Sequence, residues 1–346
     1  MKPLPKLSAL LMGILLATSA MAAEPLHLLS TTSLPDVSGG DFDHFDVDLA
    51  RSLLYVPTEE YGSIEVFHLP DGRHLRSDRT LARSPHKLLL THGGKELWIA
   101  DAGAASLKIA DTASFKVTHN IPMEAQPDSG IVDEKRGIFY LGNGGKTSED
   151  HAYISLISLA DHAVLGRIAV PAKQVKAMAI DPATDRLFVN FRDRNEIGVI
   201  DLANGKLAGI WQVPGPSRNS ALAFDPQTNR LFVGSRKPGK LFVLDAADGK
   251  LVQTLDIVET SDEIIVDDEN RRLYIAGAGG LDVVSAATPD HYAIEQHIDT
   301  LGGKTAQYVP SLHRLYVVHT KGPQAAQAGL QAFDVAPASA VGPHAQ

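Results

Sequence analysis

The chain has 346 residues, 44% of them hydrophobic, carries a net charge of −9 and contains no cysteine. The missing thiols exclude disulfides, thiolate nucleophiles, Cys-ligated zinc, iron–sulfur clusters and covalent C-x-x-C-H haem attachment. The acidic balance argues against nucleic acid and anionic lipid as partners, because both reward a basic face.

From the N-terminus, Lys2 and Lys6 precede an apolar run over residues 7–16, and Ala20-Met21-Ala22 follows with small residues at the two positions a signal peptidase inspects. This is the pattern of a cleaved secretory signal over residues 1–22, with a mature chain starting near Ala23. It implies a periplasmic or secreted protein. The run is shorter than the roughly 20 residues of a membrane-spanning helix, and no later segment is longer, so no membrane span is expected in the mature chain.

Beyond the leader a unit of about forty residues repeats, each copy marked by a Leu-aromatic-aliphatic triplet or a near relative. The aromatic anchors are Tyr55, Trp98, Tyr140, Phe188, Phe232, Tyr274 and Tyr316, separated by 43, 42, 48, 44, 42 and 42 residues. A short strand precedes each anchor and alternating runs follow it, joined by turns such as Asp71-Gly72, Asn204-Gly205 and Asp248-Gly249. Four short strands per unit without helical periodicity form a propeller blade. Seven units predict an all-β, seven-bladed propeller of four-stranded antiparallel blades, occupying residues 23–336 as one domain. The seventh unit lacks its outer strand. The isolated run 26–34 is the segment that can fill that gap and close the ring. The tail over residues 337–346 reads as disordered.

Tyr55-Val56-Pro57-Thr58, Tyr140-Leu141-Gly142-Asn143 and Phe188-Val189-Asn190-Phe191, with Pro85-His86 before the second anchor, make the chain similar to the exported bacterial YVTN-repeat propellers of the YncE-like group. The resemblance covers the whole mature chain. It implies the fold and a ligand-binding platform of WD40-like build; related lineages include lactonases and dehydrogenase subunits.

In a propeller, the loop leading into the innermost strand and the loop between second and third strands open on one face, around the channel. Twelve residues before each anchor stands a polar column: Asp43, His86, Asp128, Lys176, Ser220, Asp262 and Lys304. The next column holds His44, Lys87, Ser129, Ala177, Ala221, Glu263 and Thr305. A polar ring of this kind is either simply a wet channel mouth or a pocket that orients a small charged ligand or a metal. The loops after the anchors of blades 3 and 7, residues 142–147 onward and 319–329, are extended. Across the loops between second and third strands, Asn143, Lys146, Asn190, Arg192, Arg236 and His319 project from comparable positions.

No catalytic motif emerges: Gly145-Lys146-Thr147 and Gly303-Lys304-Thr305 lack the upstream glycine of a phosphate loop, and neither G-x-S-x-G nor H-E-x-x-H occurs. His68, His74, His92 and His162 fall in outer strands or turns and read as solvated rather than as ligands. The favoured expectation is therefore an exported non-catalytic binding or scaffold protein, with no catalytic residue assigned and a small molecule or periplasmic protein as partner. The alternative is a metal-assisted hydrolase such as a lactonase, with a divalent metal as the one cofactor and Asp43, His86, Asp128 and Asp262 as its candidate ligands, joined by Glu263. Lys176 and Lys304 in the same ring would repel the cation. A third reading is an accessory subunit of a periplasmic redox enzyme.

Overall fold

The structure, a computed structural model, describes residues 24–144, 150–215 and 218–338. The expected leader lies outside these residues. So do Lys146 and all of the expected tail beyond Ala338, whose N–H donates to Asn270 Oδ1 at 2.9 Å.

The anchors fix the architecture. Each sits in the second strand of a four-stranded antiparallel sheet, as Tyr55 does in Leu53–Thr58 and Trp98 in Glu96–Asp101. Strands that alternate would normally bury one face, but here Leu54, Tyr55 and Val56 are all buried. The second strand has a neighbouring blade on each side, so both faces are covered and an uninterrupted apolar triplet is stable there. All seven anchors are at most 2% exposed. The outermost strands show the opposite pattern: in Lys206–Gln212 exposed and half-buried residues alternate.

Seven such sheets form the ring: residues 46–78, 85–122, 127–170, 175–212, 219–256 and 261–298 make blades 1 to 6. Blade 7 takes three strands from residues 305–335 and its fourth, the outer one, from Leu26–Leu34. That strand pairs antiparallel with Ala328–Val335, from Leu26 opposite Val335 to Leu34 opposite Ala328. Leu26 packs in the core between blades 6 and 7, Leu34 in the core between blades 7 and 1. The ring is closed by its own first strand, as the repeat count requires. Neighbouring blades touch through their innermost strands, which places those strands around the central channel.

The turns follow the sequence signals. Gly72, Gly205 and Gly249 occupy the left-handed position of the turn between the third and outer strands, with φ of 68°, 66° and 76°. On the same face, the innermost strands of five blades end in a buried carboxylate that accepts a turn N–H. Examples are Asp48 from Arg51, Asp133 from Arg136 and Asp267 from Asn270, at 3.0, 3.1 and 3.1 Å. No helix among the described residues is long and apolar enough to cross a membrane.

Candidate functional site at the channel mouth

The polar column owes its position to a defect in the ladder. In blades 2 to 6 the innermost strand slips register at the column: between Pro85 and Leu88, Pro127 and Gly130, Val175 and Met178, Asn219 and Leu222, Ser261 and Glu263. His86, Asp128, Lys176, Ser220 and Asp262 lie in these bulges, which release them from the two-residue alternation of the pleat and re-aim their side chains. In blade 1, Asp43 stands between the isolated Phe42–Thr58 bridge and the regular ladder starting at Asp46. Lys304 directly precedes Thr305–Val309. All seven column residues line one cavity of about 190 Å³ at the channel mouth.

Arg192 and Arg236 also line it, together with Asp41, His44 and Glu59. The loop residues grouped above do not share one environment. Arg192 and Arg236 stand four residues after their anchors, whereas Asn143 and His319 stand three after and Asn190 two after. The first two stand at or just past the end of the second strand, whereas the other three lie within it, where a neighbouring blade covers each face. Asn143, Asn190 and His319 are therefore buried in the blades and do not line the cavity. Asn190 Nδ2 donates to the Ser220 and Ala221 carbonyls at 2.6 and 3.0 Å, tying blade 4 to blade 5. His319 lies opposite Gly329, where a Cβ would come within 2.8 Å of Nε2; burial pushes its imidazole below the usual range.

Glu59 and Asp41 were not singled out by the repeat alignment. Glu59 occupies the same position after Tyr55 as Arg192 and Arg236 do after their anchors, so a second column at that offset would have found it. Asp41 has no counterpart in the repeat, because it lies in the segment leading from the closing strand to blade 1.

Two chains of interactions run round the mouth. In the first, His44 Nδ1 donates to Glu263 Oε2 at 2.9 Å, and its Nε2 is 3.3 Å from Asp43 Oδ1. His86 Nδ1 donates to Asp43 Oδ2 at 2.7 Å and lies 4.0 Å from Asp128, which is paired with Lys176. In the second, Asp262 accepts from Ser220 Oγ at 2.9 Å and Arg236 Nη1 at 3.0 Å, and Lys304 bridges Asp262 and Asp41 at 3.5 and 2.7 Å.

The protonation states follow from this packing. Burial alone would lower both imidazoles. For His44 the Asp43 and Glu263 carboxylates outweigh burial, and for His86 the Asp43 hydrogen bond and charge, with Asp128 and Glu59, do the same; each is raised to about 9. Burial works to raise Asp43, yet His44, His86 and Lys176 hold it well below the carboxylate range. Glu59 is pushed up to about 8 by burial, with the Asp43 charge adding to it. At pH 7 the lining thus carries two imidazoliums, four Lys or Arg cations and a protonated Glu59. Arg192 differs from the other cations. Its Nε donates to Gln174 Oε1 at 3.0 Å, and among the described residues no carboxylate lies within ion-pair distance. Burial, then the neighbouring Arg236 charge, depresses its pKa.

Asp43, His86 and Asp128 bring one ligand atom each to within 4.8 Å of one another, which is close enough to share a cation. A cation there has to displace the Lys176 ammonium from Asp128 and the proton from His86. Asp262 belongs to the other chain, committed to Ser220, Arg236 and Lys304. The donor set suits a metal less well than the bare residue types suggest.

No family model matches the sequence, and no curated protein matches it. Solved structures do: 1666 chains match the fold. One, described as "Crystal Structure of Mitotic Checkpoint Complex", superposes with a TM-score of 0.71 over 96% of this chain and 99% of that chain, at 14% identity. The likeness is one of fold. A propeller fits a binding or scaffold role, and at this identity nothing finer passes between the two proteins.

Proposed function

We propose that the protein is an exported, non-catalytic binding propeller whose channel mouth takes a small anionic ligand. The observation that carries this reading is Arg192, a half-buried guanidinium without a carboxylate partner in a mouth whose other cations are paired. Facing Arg236 and close to Lys176, it favours a carboxylate or another oxyanion, which its planar fork can hold with two hydrogen bonds. The cavity of about 190 Å³ is smaller than the roughly 300–1,000 Å³ of drug-sized sites. A small organic acid, or one acidic group of a larger partner, suits it.

The same geometry supports binding over hydrolysis. The imidazoles that would act as bases hold their protons at pH 7, and the nearby hydroxyls of Ser129 and Ser220 donate to Asp128 and Asp262 at 3.2 and 2.9 Å. The lactonase reading retains one supporting feature, the Asp43–His86–Asp128 cluster.

Calorimetric titration with acetate, succinate, citrate and phosphate tests the proposal: wild type binds at least one, and Arg192→Ala weakens it tenfold or more. Equal affinity in wild type and variant refutes the anion site. Metal-dependent lactone turnover abolished by His86→Ala would establish the alternative. Export and kinship with the exported YVTN-repeat group rest on the leader over residues 1–22 and on the seven anchors with Pro85-His86. Cell fractionation with intact mass tests export: a chain starting at Ala23 in the periplasm supports it, full-length protein confined to the cytoplasm refutes it, and exported protein that keeps Met1 would mean an uncleaved N-terminal anchor.

A further inference from the structure

On the face opposite the channel mouth, three departures from the repeat meet at one point between blades 2 and 3. Two residues before the anchor the blades carry Leu53, Glu96, Ile138, Arg186, Arg230, Arg272 and Arg314, so blade 2 alone places a carboxylate there. At the end of its innermost strand, where five other blades have a buried Asp, blade 2 has Thr91, followed by His92 in the turn. In blade 3 the left-handed turn position that is Gly72, Gly205 and Gly249 in blades 1, 4 and 5, and Phe115 in blade 2, is His162, at φ 59°. A histidine there forgoes the glycine that the backbone favours.

These three side chains converge. His92 Nδ1 lies 3.2 Å and His162 Nε2 3.0 Å from the same oxygen, Glu96 Oε2, and all three atoms fall within 4.8 Å of one another. Around a tetrahedral zinc with bonds of about 2.0–2.1 Å, neighbouring ligand atoms stand about 3.4 Å apart. Supporting groups are in place. Trp98 Nε1 donates to Glu96 Oε2 at 3.0 Å, and Thr91 Oγ1 donates to the same oxygen at 3.3 Å, which leaves the lone pair of His92 Nδ1 to a metal. The His119 ring is 4.5 Å from that of His162, within reach of a fourth ligand position. Unlike the channel mouth, the cluster has no resident cation: among the described residues neither Lys nor Arg pairs with Glu96, and His92 and His162 are its only ion-pair partners. His162, expected to be solvated, has a side chain only 16% exposed; His92 is 42% exposed and opens onto a groove of about 640 Å³ through which an ion can enter.

We propose that His92, Glu96 and His162 form a binding site for a divalent transition metal, separate from the channel mouth. Two imidazoles and a carboxylate select zinc, copper or nickel over calcium or magnesium, which prefer all-oxygen sites.

Trp98 makes the site readable, since the chain has only two tryptophans and the other is Trp211. In a Trp211→Phe background, titration of the full mature protein with Cu²⁺ should quench Trp98 emission saturably, with one ion bound in the micromolar range. His162→Gly, which installs the residue that three other blades use at this turn, should keep the melting temperature and weaken quenching tenfold or more. Glu96→Gln should weaken it similarly, and His86→Ala at the channel mouth should leave it unchanged. Absence of saturable quenching, quenching indifferent to both His162→Gly and Glu96→Gln, or quenching lost with His86→Ala would each overturn the site.

Discussion

Asp43 and His86 belong to adjacent blades, and the hydrogen bond from His86 Nδ1 to Asp43 Oδ2, 2.7 Å long, joins them across the channel mouth. The link makes stability depend on pH with a definite sign. His44 and His86 are raised to about 9 in the folded protein against about 6.5 in an unfolded chain. Their stabilisation is therefore complete below pH 6.5 and is lost as pH rises through 9. Glu59, raised to about 8, acts in the same direction, since the folded state holds a proton that the unfolded chain has released. Asp43 is depressed, so its stabilisation is present above about pH 4 and lost in acid. Stability, read as the melting temperature, should be highest near pH 4–5, where Asp43 is ionised and Glu59 and both imidazoles still keep their protons in either state, and fall toward pH 9.5. Because both imidazoles share the Asp43 carboxylate, their joint part of that fall is about 3 kcal/mol rather than twice that. Scanning calorimetry across that range checks this, and His86→Gln should flatten the alkaline limb. A wild-type profile flat from pH 6.5 to 9.5 contradicts the assigned protonation states.

Lys176 blocks the cation site formed by Asp43, His86 and Asp128. Lys176→Met removes the ammonium and leaves the buried carboxylate of Asp128 with only the Ser129 hydroxyl at 3.2 Å and His86 at 4.0 Å. Mn²⁺ binding, followed by electron paramagnetic resonance, should strengthen about tenfold, a change of about 1.4 kcal/mol. Unchanged Mn²⁺ binding would mean that the ammonium does not govern the site.

Away from the mouth, the anchor of blade 6 carries a polar duty. Tyr274 Oη donates to Asp267 Oδ2 at 2.6 Å in a fully buried setting, and burial with the Asp267 hydrogen bond pushes the phenol far above its usual pKa. Tyr274→Phe keeps the ring and strips one donor from a buried carboxylate that also accepts from Asn270. Urea unfolding should report a loss of ~1–3 kcal/mol. A loss below about 0.5 kcal/mol, the size of an ordinary surface change, would show that the hydroxyl is dispensable.

The blades were legible in the sequence because their determinant is repeated. A strand covered on both faces demands an apolar triplet, and seven such triplets at near-constant spacing leave little freedom in the count. The closing strand was legible for a related reason, since blade 7 had no outer strand of its own and residues 26–34 had no blade. The mouth was legible only in part. Counting from the anchors aligned the column, but the bulges that aim it depend on backbone register, which no residue type announces. The same limit explains Asn143, Asn190 and His319: they lie one or two residues short of the position of Arg192, still inside a strand covered on both faces, and where that strand ends is set by the backbone. The cluster at Glu96 escaped because its members come from two blades, and the departures that mark it show only when columns other than the channel-mouth one are compared across the repeats.

The pairing of Leu26 with Val335 has a consequence for how the molecule is made. The first of the described strands pairs with the last, so it has no partner until nearly the whole chain is present. Bringing it home closes the longest loop among the described strands, a step that carries an entropic cost and slows folding. Completion is thus a property of the whole polypeptide: a truncated or stalled chain can build blades, but it cannot finish the circle.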